Sequence, residues 1–71
     1  MMKYKRIEEI RKSHKESQAQ IAYILGVQRE VYRRYETGIR EIPVQHLITL
    51  AKYYDVSIDY IVELIDGGQG D

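Results

Sequence analysis

The stretch SQAQIAYILGVQREVYRRYETG, residues 17–38, carries the signals of two short helices separated by a tight turn. Ser17, with Gln20 three residues later, forms a capping box, which predicts that a helix begins after Ser17. The apolar stripe at helical spacing in this helix consists of Ile21, Ala22 and Leu25. Gly26 follows directly and predicts the end of the helix, because glycine tolerates a positive φ.

The second helix of this stretch, about residues 28–37, separates apolar and charged side chains on opposite faces. On a wheel that steps about 100° per residue, Val31, Tyr32 and Tyr35 share one arc. The charged residues on the opposite arc are Arg29, Glu30, Arg33 and Arg34. Such a helix is typical of the recognition helix in a DNA-binding helix-turn-helix. A solvated surface helix with i,i+4 ion pairs such as Glu30–Arg34 has the same pattern.

Further motifs extend this pattern along most of the chain. In order they are Arg11, SQxQIA at 17–22, LGV at 25–27, RRYETGxREIP at 33–43 and LITLAKYYDVSIDYI at 47–61. With these motifs, residues 7–65 resemble the lambda-repressor-like helix-turn-helix domains, the Cro/Xre group of bacterial and phage regulators. Two positions depart from that family. Tyr32 stands where Ile or Val is usual, and Gln28 stands where Ser or Thr is usual, which predicts a bulkier core and a weaker N-cap.

The resemblance implies an all-α fold, a five-helix lambda-repressor-like bundle with a central helix-turn-helix. No segment alternates like a strand, which agrees with that fold class. We expect the first helix over about residues 4–13, Pro43 in the first turn of the fourth helix, and Ser57 as the cap of the fifth. The buried positions predicted for the first and fourth helices are Tyr4, Ile7, Ile10, Leu47, Leu50 and Ala51. One domain is expected over residues 1–66, with a flexible tail over 67–71.

Composition narrows the functional classes. A chain of 71 residues makes one small domain, and the absence of cysteine excludes disulfides and thiolate metal sites. His14 and His46 have no carboxylate or cysteine neighbours at metal-ligand spacing, so we expect neither a metal nor a cofactor. No apolar run reaches the ~18 residues of a membrane span, and the N-terminus lacks the apolar region of a secretory signal. We therefore expect a cytoplasmic location and no membrane partner.

The formal net charge of zero conceals an asymmetry between the two parts of the chain. Residues 1–40 hold ten basic against five acidic side chains, a net of +5. Residues 41–71 hold one basic against six acidic side chains, a net of −5. The first part is suited to phosphate, and the second to solvent or a protein partner.

The resemblance implies DNA contacts around the second and third helices. The predicted DNA-binding residues are Gln18, Gln28, Arg29, Glu30, Arg33, Arg34 and Arg40. Arginine can pair with guanine O6 and N7, and glutamate can accept from cytosine N4. In the family, the glutamine that matches Gln18 binds a phosphate at the start of its helix. Arg11 and Glu36 match an ion pair that ties the first helix to the third in several relatives, and we interpret them as structural.

The fifth helix has a wide apolar arc. Its residues on one arc are Ile58, Ile61, Val62 and Ile65. Tyr60 and Leu64 extend this arc to about 200°, beyond the ~100° that docking on the helix's own core requires. The excess predicts a homodimer interface at Tyr60 and Leu64, whereas a frayed helix end with exposed residues would give the same pattern.

Together these patterns favour a sequence-specific transcriptional regulator that binds double-stranded DNA as a homodimer, most simply as a repressor. One alternative is a protein-binding module, such as an antitoxin or an adaptor. The neutral net charge and the acidic C-terminal half favour that alternative, and the outward arginines argue against it. A second alternative is a small enzyme, but the sequence holds no nucleophile–base pair and no metal constellation, so we expect no catalysis.

Overall fold

The computed structural model of the protein describes residues 3–63 and 65–66. Five helices make up most of this part: α1 (Lys5–Ser13), α2 (Gln18–Leu25), α3 (Arg29–Thr37), α4 (Val44–Tyr54) and α5 (Ile58–Val62). The two-residue strands β1 (Lys3–Tyr4) and β2 (Ile65–Asp66) pair in antiparallel orientation. The predicted all-α class and five-helix bundle are confirmed, with this short pairing as an addition. The tail expected at 67–71 lies outside the described residues.

The turn between α2 and α3 has the geometry that the sequence predicts. The Ser17 hydroxyl accepts from the backbone N–H of Gln20 at 3.1 Å, and the side-chain Oε1 of Gln20 accepts from the backbone N–H of Ser17 at 2.6 Å. Gly26 ends α2 in the left-handed region at φ 75°. The Val27 N–H then donates to the carbonyl of Ala22 at 3.0 Å, which closes the turn. The capping box and the glycine stop are therefore confirmed.

The core draws side chains from all five helices. Its members are Ile7, Ile10, Ile21, Ala22, Leu25, Tyr32, Tyr35, Ile42, Leu47, Leu50, Ala51, Tyr54 and Ile61. The predicted stripes of α1, α2 and α4 are buried as expected, except that Tyr4 is only half-buried. Tyr32 is completely buried, so the bulkier core predicted for this position is present.

Three helix boundaries differ from the sequence prediction. α1 begins at Lys5 because Tyr4 pairs with Ile65 instead of joining the helix. Pro43 has an extended ψ of 151° and precedes α4 as its N-cap residue, where its carbonyl accepts from the N–H of Leu47 at 3.2 Å. α5 ends at Val62, so the wheel drawn through Ile65 was wrong. Ile58, which the wheel placed on the buried arc, is exposed at the first position of α5.

Glu16 ties the loop after α1 to the end of α4. The Tyr54 hydroxyl donates to Glu16 Oε1 at 2.8 Å, and the Tyr53 hydroxyl donates to Oε2 of the same carboxylate. Because the backbone carbonyl of Glu16 accepts from the guanidinium of Arg11 at 2.7 Å, the loop is held from two sides. This loop leads directly into the N-terminus of α2.

Candidate nucleic-acid interface

α3 packs its tyrosines into the core and turns its charged side chains outward. Tyr32 and Tyr35 are buried, as the wheel predicts, and Val31 packs against the core at its edge. The side chains of Glu30, Arg33 and Arg34 remain 52%, 43% and 47% exposed, and Arg29 is exposed as well. The chain thus presents three guanidiniums and one carboxylate on a single solvent-facing side of one helix.

The carboxylate of Glu30 joins two of these arginines. Arg33 donates to it twice, from Nε to Oε1 at 3.1 Å and from Nη2 to Oε2 at 2.7 Å. Arg34 approaches the same carboxylate with its Nε 3.4 Å from Oε2. The hydrogen bonds from Arg33, with the positive charges of both arginines, lower the pKa of Glu30 to about 2. Glu30 is therefore a carboxylate anion at any physiological pH.

The start of α3 is polar and open. Gln28 is the extended N-cap residue of the helix, and its side chain makes no capping hydrogen bond. Arg29 forms no ion pair with any residue in the described ranges. The N-terminal end of α3 therefore presents backbone N–H groups beside an arginine that is not held by an internal partner.

A buried network centred on Glu36 connects α1, α2 and α3. Arg11 donates to this carboxylate from Nε at 2.6 Å and from Nη2 at 3.2 Å. The Tyr32 hydroxyl donates to Oε2 at 2.6 Å, and the Gln18 amide donates to Oε1 at 2.9 Å. Since Arg11 is 8% exposed and Glu36 is 3% exposed, the ion pair lies inside the domain. Four donor bonds satisfy the buried charge.

The network also shifts the pKa values of its members in a consistent direction. Burial alone would raise the pKa of Glu36, but hydrogen bonds from Arg11, Tyr32 and Gln18 outweigh it and hold that pKa below its usual value. The hydrogen bond with Glu36 raises the pKa of Arg11. Burial, together with the hydrogen bond to Glu36, raises the pKa of the Tyr32 hydroxyl. The network is therefore an arginine cation, a glutamate anion and a neutral tyrosine.

The other predicted contact residues lie around this face. Gln18 is the first residue of α2 and is half-buried, with its amide nitrogen turned toward Glu36. Arg40 is exposed in the loop after α3, where its backbone N–H donates to the carbonyl of Arg34 at 3.2 Å. The DNA-binding roles predicted for both residues stay predictions.

Tyr60, one of the two residues predicted to form the dimer interface, lies on α5. Tyr60 on α5 is exposed, and the guanidinium carbon of Arg6 on α1 lies 4.2 Å from the centroid of its ring. Arg6 also approaches Glu63, with 3.8 Å between Nη2 and Oε2. Leu64, the second predicted dimer residue, lies outside the described residues.

Two features of the site were not anticipated from the sequence. The hydroxyl of Tyr32 is one of the donors to Glu36, and the spacing of four residues between them is the signal that could have indicated it. The attachment of Glu30 to Arg33 was also not anticipated, because the pair predicted from the sequence was the i,i+4 pair Glu30–Arg34 and not this i,i+3 pair. Both contacts join residues of the same helix.

Two structural features are absent from residues 3–63 and 65–66. None of the helices there has the length and apolarity that a bilayer span requires. Among the same residues, no three side chains of the metal-ligand types converge on a common point.

Comparison with known proteins agrees with this geometry. Residues 7–61 match the family model described as helix-turn-helix. The chain is 39% identical over 61 residues to the uncharacterized HTH-type transcriptional regulator YobD of Bacillus subtilis (strain 168), covering 86% of this chain and 54% of that protein. It is 37% identical over 57 residues to the uncharacterized HTH-type transcriptional regulator YqaE of the same organism, covering 80% and 49%.

The fold is also similar to that of a transcriptional regulator of known structure. The crystal structure of a transcriptional regulator from Listeria innocua superposes with a TM-score of 0.80 at 28% identity, covering 100% of this chain and 67% of that one. The chain spans about half the length of the two curated relatives it matches. Since the family model covers most of the chain, this protein belongs to the helix-turn-helix family, which confirms the resemblance to lambda-repressor-like domains.

Proposed function

We propose that this protein is a sequence-specific transcriptional regulator that binds double-stranded DNA with α3 in the major groove. The observation that carries the proposal is the outward face of α3. Arg29, Arg33 and Arg34 stand on the solvent side of a helix whose other side is locked into the core by Tyr32 and Tyr35. Rigid attachment of a cationic helix is what reading base edges requires, because a loosely held helix loses register.

The residues of the interface divide into two proposed groups. The first group faces the major groove from α3, and its residues are Gln28, Arg29, Glu30, Arg33 and Arg34. The backbone is held by Gln18, at the start of α2, and by Arg40, in the loop after α3. The buried Arg11–Glu36 pair is proposed to fix the angle between the helices that carry the two groups, because a buried ion pair specifies orientation more than it stabilises.

The protein is further proposed to act as a homodimer and as a repressor that occludes a promoter. Two copies joined through α5 would present their recognition helices to half-sites about one helical turn apart. Occlusion requires only tight and specific binding, so no catalytic activity is expected of the domain.

A salt titration tests the DNA-binding proposal. Wild type is measured by fluorescence anisotropy on a random duplex and on sites selected from a randomised duplex library. The logarithm of the binding constant is expected to fall linearly with the logarithm of salt concentration, because phosphate contacts release counterions. Arg34→Ala is expected to weaken binding to both kinds of duplex severalfold and to reduce the salt slope by about one, with normal helicity.

Lys52→Ala is the control for this experiment. Lys52 is an exposed cation in the last turn of α4, so its loss removes a positive charge without touching α3. Its affinity is expected to equal that of wild type within error. If Arg34→Ala and Lys52→Ala behave alike, or if binding does not depend on salt, α3 does not contact DNA as proposed.

A protein-binding role is the second candidate, and one observation favours it. Ala19, Tyr23 and Ile24 of α2 line an open apolar groove together with Tyr53 of α4, and Tyr23 is 87% exposed. Exposed apolar grooves are common where proteins meet. The salt titration separates the candidates, since a domain that binds only protein gains no affinity for duplex DNA as salt is lowered.

A further inference from the structure

We propose that Arg33 reads a guanine and that Glu30 is the positioning residue which gives Arg33 this preference. The inference rests on the proposed function, because it assigns distinct roles within the same interface. Glu30 holds one edge of the Arg33 guanidinium through two hydrogen bonds, of 3.1 Å and 2.7 Å. Glu30 is therefore not itself a reader of cytosine, although its charge and position on α3 would allow that role.

The two bonds to Glu30 leave the reading edge of Arg33 available. A guanidinium carries five N–H groups in one plane, and Glu30 accepts from Nε and from one N–H of Nη2. The parallel pair at the far end, one N–H from Nη1 and one from Nη2, points away from the carboxylate. That pair matches the two acceptors O6 and N7 of guanine in the major groove.

The carboxylate also fixes the plane of the guanidinium before DNA arrives. A long arginine side chain loses rotamer freedom when it binds, and a side chain that is already fixed loses less. A fixed plane permits two simultaneous bonds to one base in the plane of that base. An unrestrained guanidinium can instead turn to any nearby phosphate, which carries no sequence information.

The other two arginines of the face are held less firmly. Arg34 has one contact with Glu30, with its Nε 3.4 Å from Oε2, and Arg29 has no ion pair within residues 3–63 and 65–66. Such guanidiniums suit phosphate oxygens, which accept from a wide range of directions. The contrast among three arginines on one helix face therefore assigns base reading to Arg33.

The Glu30 carboxylate is already engaged by its arginines, which leaves it few acceptor positions for a base. Both of its oxygens already accept from Arg33, and Oε2 is also close to Arg34. A hydrogen bond donated by cytosine N4 to Glu30 would compete with the two bonds that Glu30 accepts from Arg33. The lowered pKa of Glu30 agrees with a carboxylate that is committed to its arginines.

The test compares base preferences of the full chain and its variants. Sites bound by wild type, Glu30→Gln, Arg33→Ala and Arg34→Ala are selected from one random duplex library and sequenced. Arg33→Ala is expected to lose a guanine preference at one position, by roughly 5- to 150-fold, the range for a bidentate base contact. Glu30→Gln is expected to lose much of the same preference at the same position.

The affinity for random duplex shows whether Glu30 positions Arg33 or contacts the DNA itself. Glu30→Gln is expected to bind random duplex severalfold more tightly than wild type, with a salt slope steeper by up to about one, because Arg33 becomes available to phosphates. Glu8→Gln is the matched control. Glu8 forms a similar exposed pair on α1, with its Oε2 3.0 Å from the ammonium nitrogen of Lys12, and its loss should leave base preferences unchanged.

Each other outcome overturns the proposal. If Glu30→Gln binds all sequences more tightly but keeps the guanine preference, Glu30 acts only through its charge. If Glu30→Gln loses a cytosine preference at a position that Arg33→Ala leaves intact, Glu30 reads that base directly. If wild type selects no sites at all, the proposed DNA-binding function itself is wrong. Circular dichroism of every protein checks that a loss of binding is not caused by a loss of helical structure.

Discussion

Tyr32 illustrates how one residue acquires a role from its surroundings. A tyrosine ring fits a fully buried position only if its hydroxyl finds a partner, because an unpaired hydroxyl in the core is costly. Glu36 supplies that partner one helical turn later on α3. The aliphatic residue that the family pattern prefers at this position would fill the space and donate nothing. Tyr32 is therefore part of the buried polar network as well as of the apolar core.

Replacement of Tyr32 by phenylalanine tests this role. Tyr32→Phe removes one donor from a buried carboxylate, and we expect the free energy of unfolding to fall by about 1–3 kcal/mol. Tyr35→Phe makes the same chemical change in the same helix. No described side chain hydrogen bonds to the Tyr35 hydroxyl, so a change below about 0.5 kcal/mol is expected. Urea unfolding measures both, and equal losses would show that the hydroxyl of Tyr32 contributes nothing specific.

Glu36 is expected to make the stability of the domain depend on pH. Its pKa in the folded state lies below the usual value of about 4.3, so the folded protein binds its proton less readily than the unfolded chain. The stabilisation from Glu36 is then fully present above the unfolded pKa and is lost as pH falls through the folded pKa. We expect the unfolding free energy of wild type to fall as pH drops from about 5 toward 2.

The variant Glu36→Gln checks this sign. It should be less stable than wild type at pH 7 by about 3 kcal/mol, since Arg11 is left as a buried unpaired cation. As pH falls, the free energy of unfolding of Glu36→Gln should decrease less than that of wild type. Glu41→Gln, at an exposed position in the loop before α4, is the control and should follow the wild-type curve. A variant curve parallel to that of wild type would mean that Glu36 titrates alike in both states.

At the scale of elements, local chemistry decided most of the helix boundaries. Ser17 and Ser57 cap α2 and α5 with their hydroxyls, and Gly26 and Gly38 end α2 and α3 with positive φ. Each of these signals acts over three or four residues, so no distant part of the chain is needed to produce it. These residues are for that reason the ones at which the sequence prediction succeeded.

The ends of the domain behave differently because distant residues meet there. Tyr4 pairs with Ile65 in the β1–β2 bridge, which begins α1 one residue later than periodicity predicts. The same bridge places Ile65 in a strand after α5 has ended at Val62. A wheel assumes one continuous helix, so it cannot register a pairing between residues 61 positions apart in the chain. The apolar arc predicted for α5 was wrong beyond that point.

The two faces proposed for binding lie in parts of the chain that have opposite net charge. The proposed DNA-binding face is on α3, within the part of the chain that carries the net positive charge. The proposed dimer face is on α5, where Tyr60 lies exposed beneath the guanidinium of Arg6. Separate faces allow one molecule to hold DNA and a second copy at the same time.

Sedimentation of the protein on and off DNA tests the dimer. Wild type is expected to bind a two-fold site as two protomers, whereas Tyr60→Asp should bind one half-site weakly, because a buried carboxylate disfavours the contact. The variant should stay folded, since the fully buried Ile61 still anchors α5. Val44→Asp adds the same charge at an exposed position at the start of α4 and should still bind as two protomers. If Tyr60→Asp also binds as two, the dimer contact lies elsewhere.

The sequence by itself determined the helix-turn-helix, the stripes of the core and the outward arginines of α3. All of these follow from periodicity and capping, which depend on neighbours within a few residues. Only the tertiary structure decided that Gln18 turns its amide toward Glu36 and that the carboxylate of Glu16 accepts from Tyr53 and Tyr54. Such contacts depend on which rotamer each side chain adopts and on how closely the helices approach one another. The periodicity of the sequence constrains neither the rotamers nor the distances between helices.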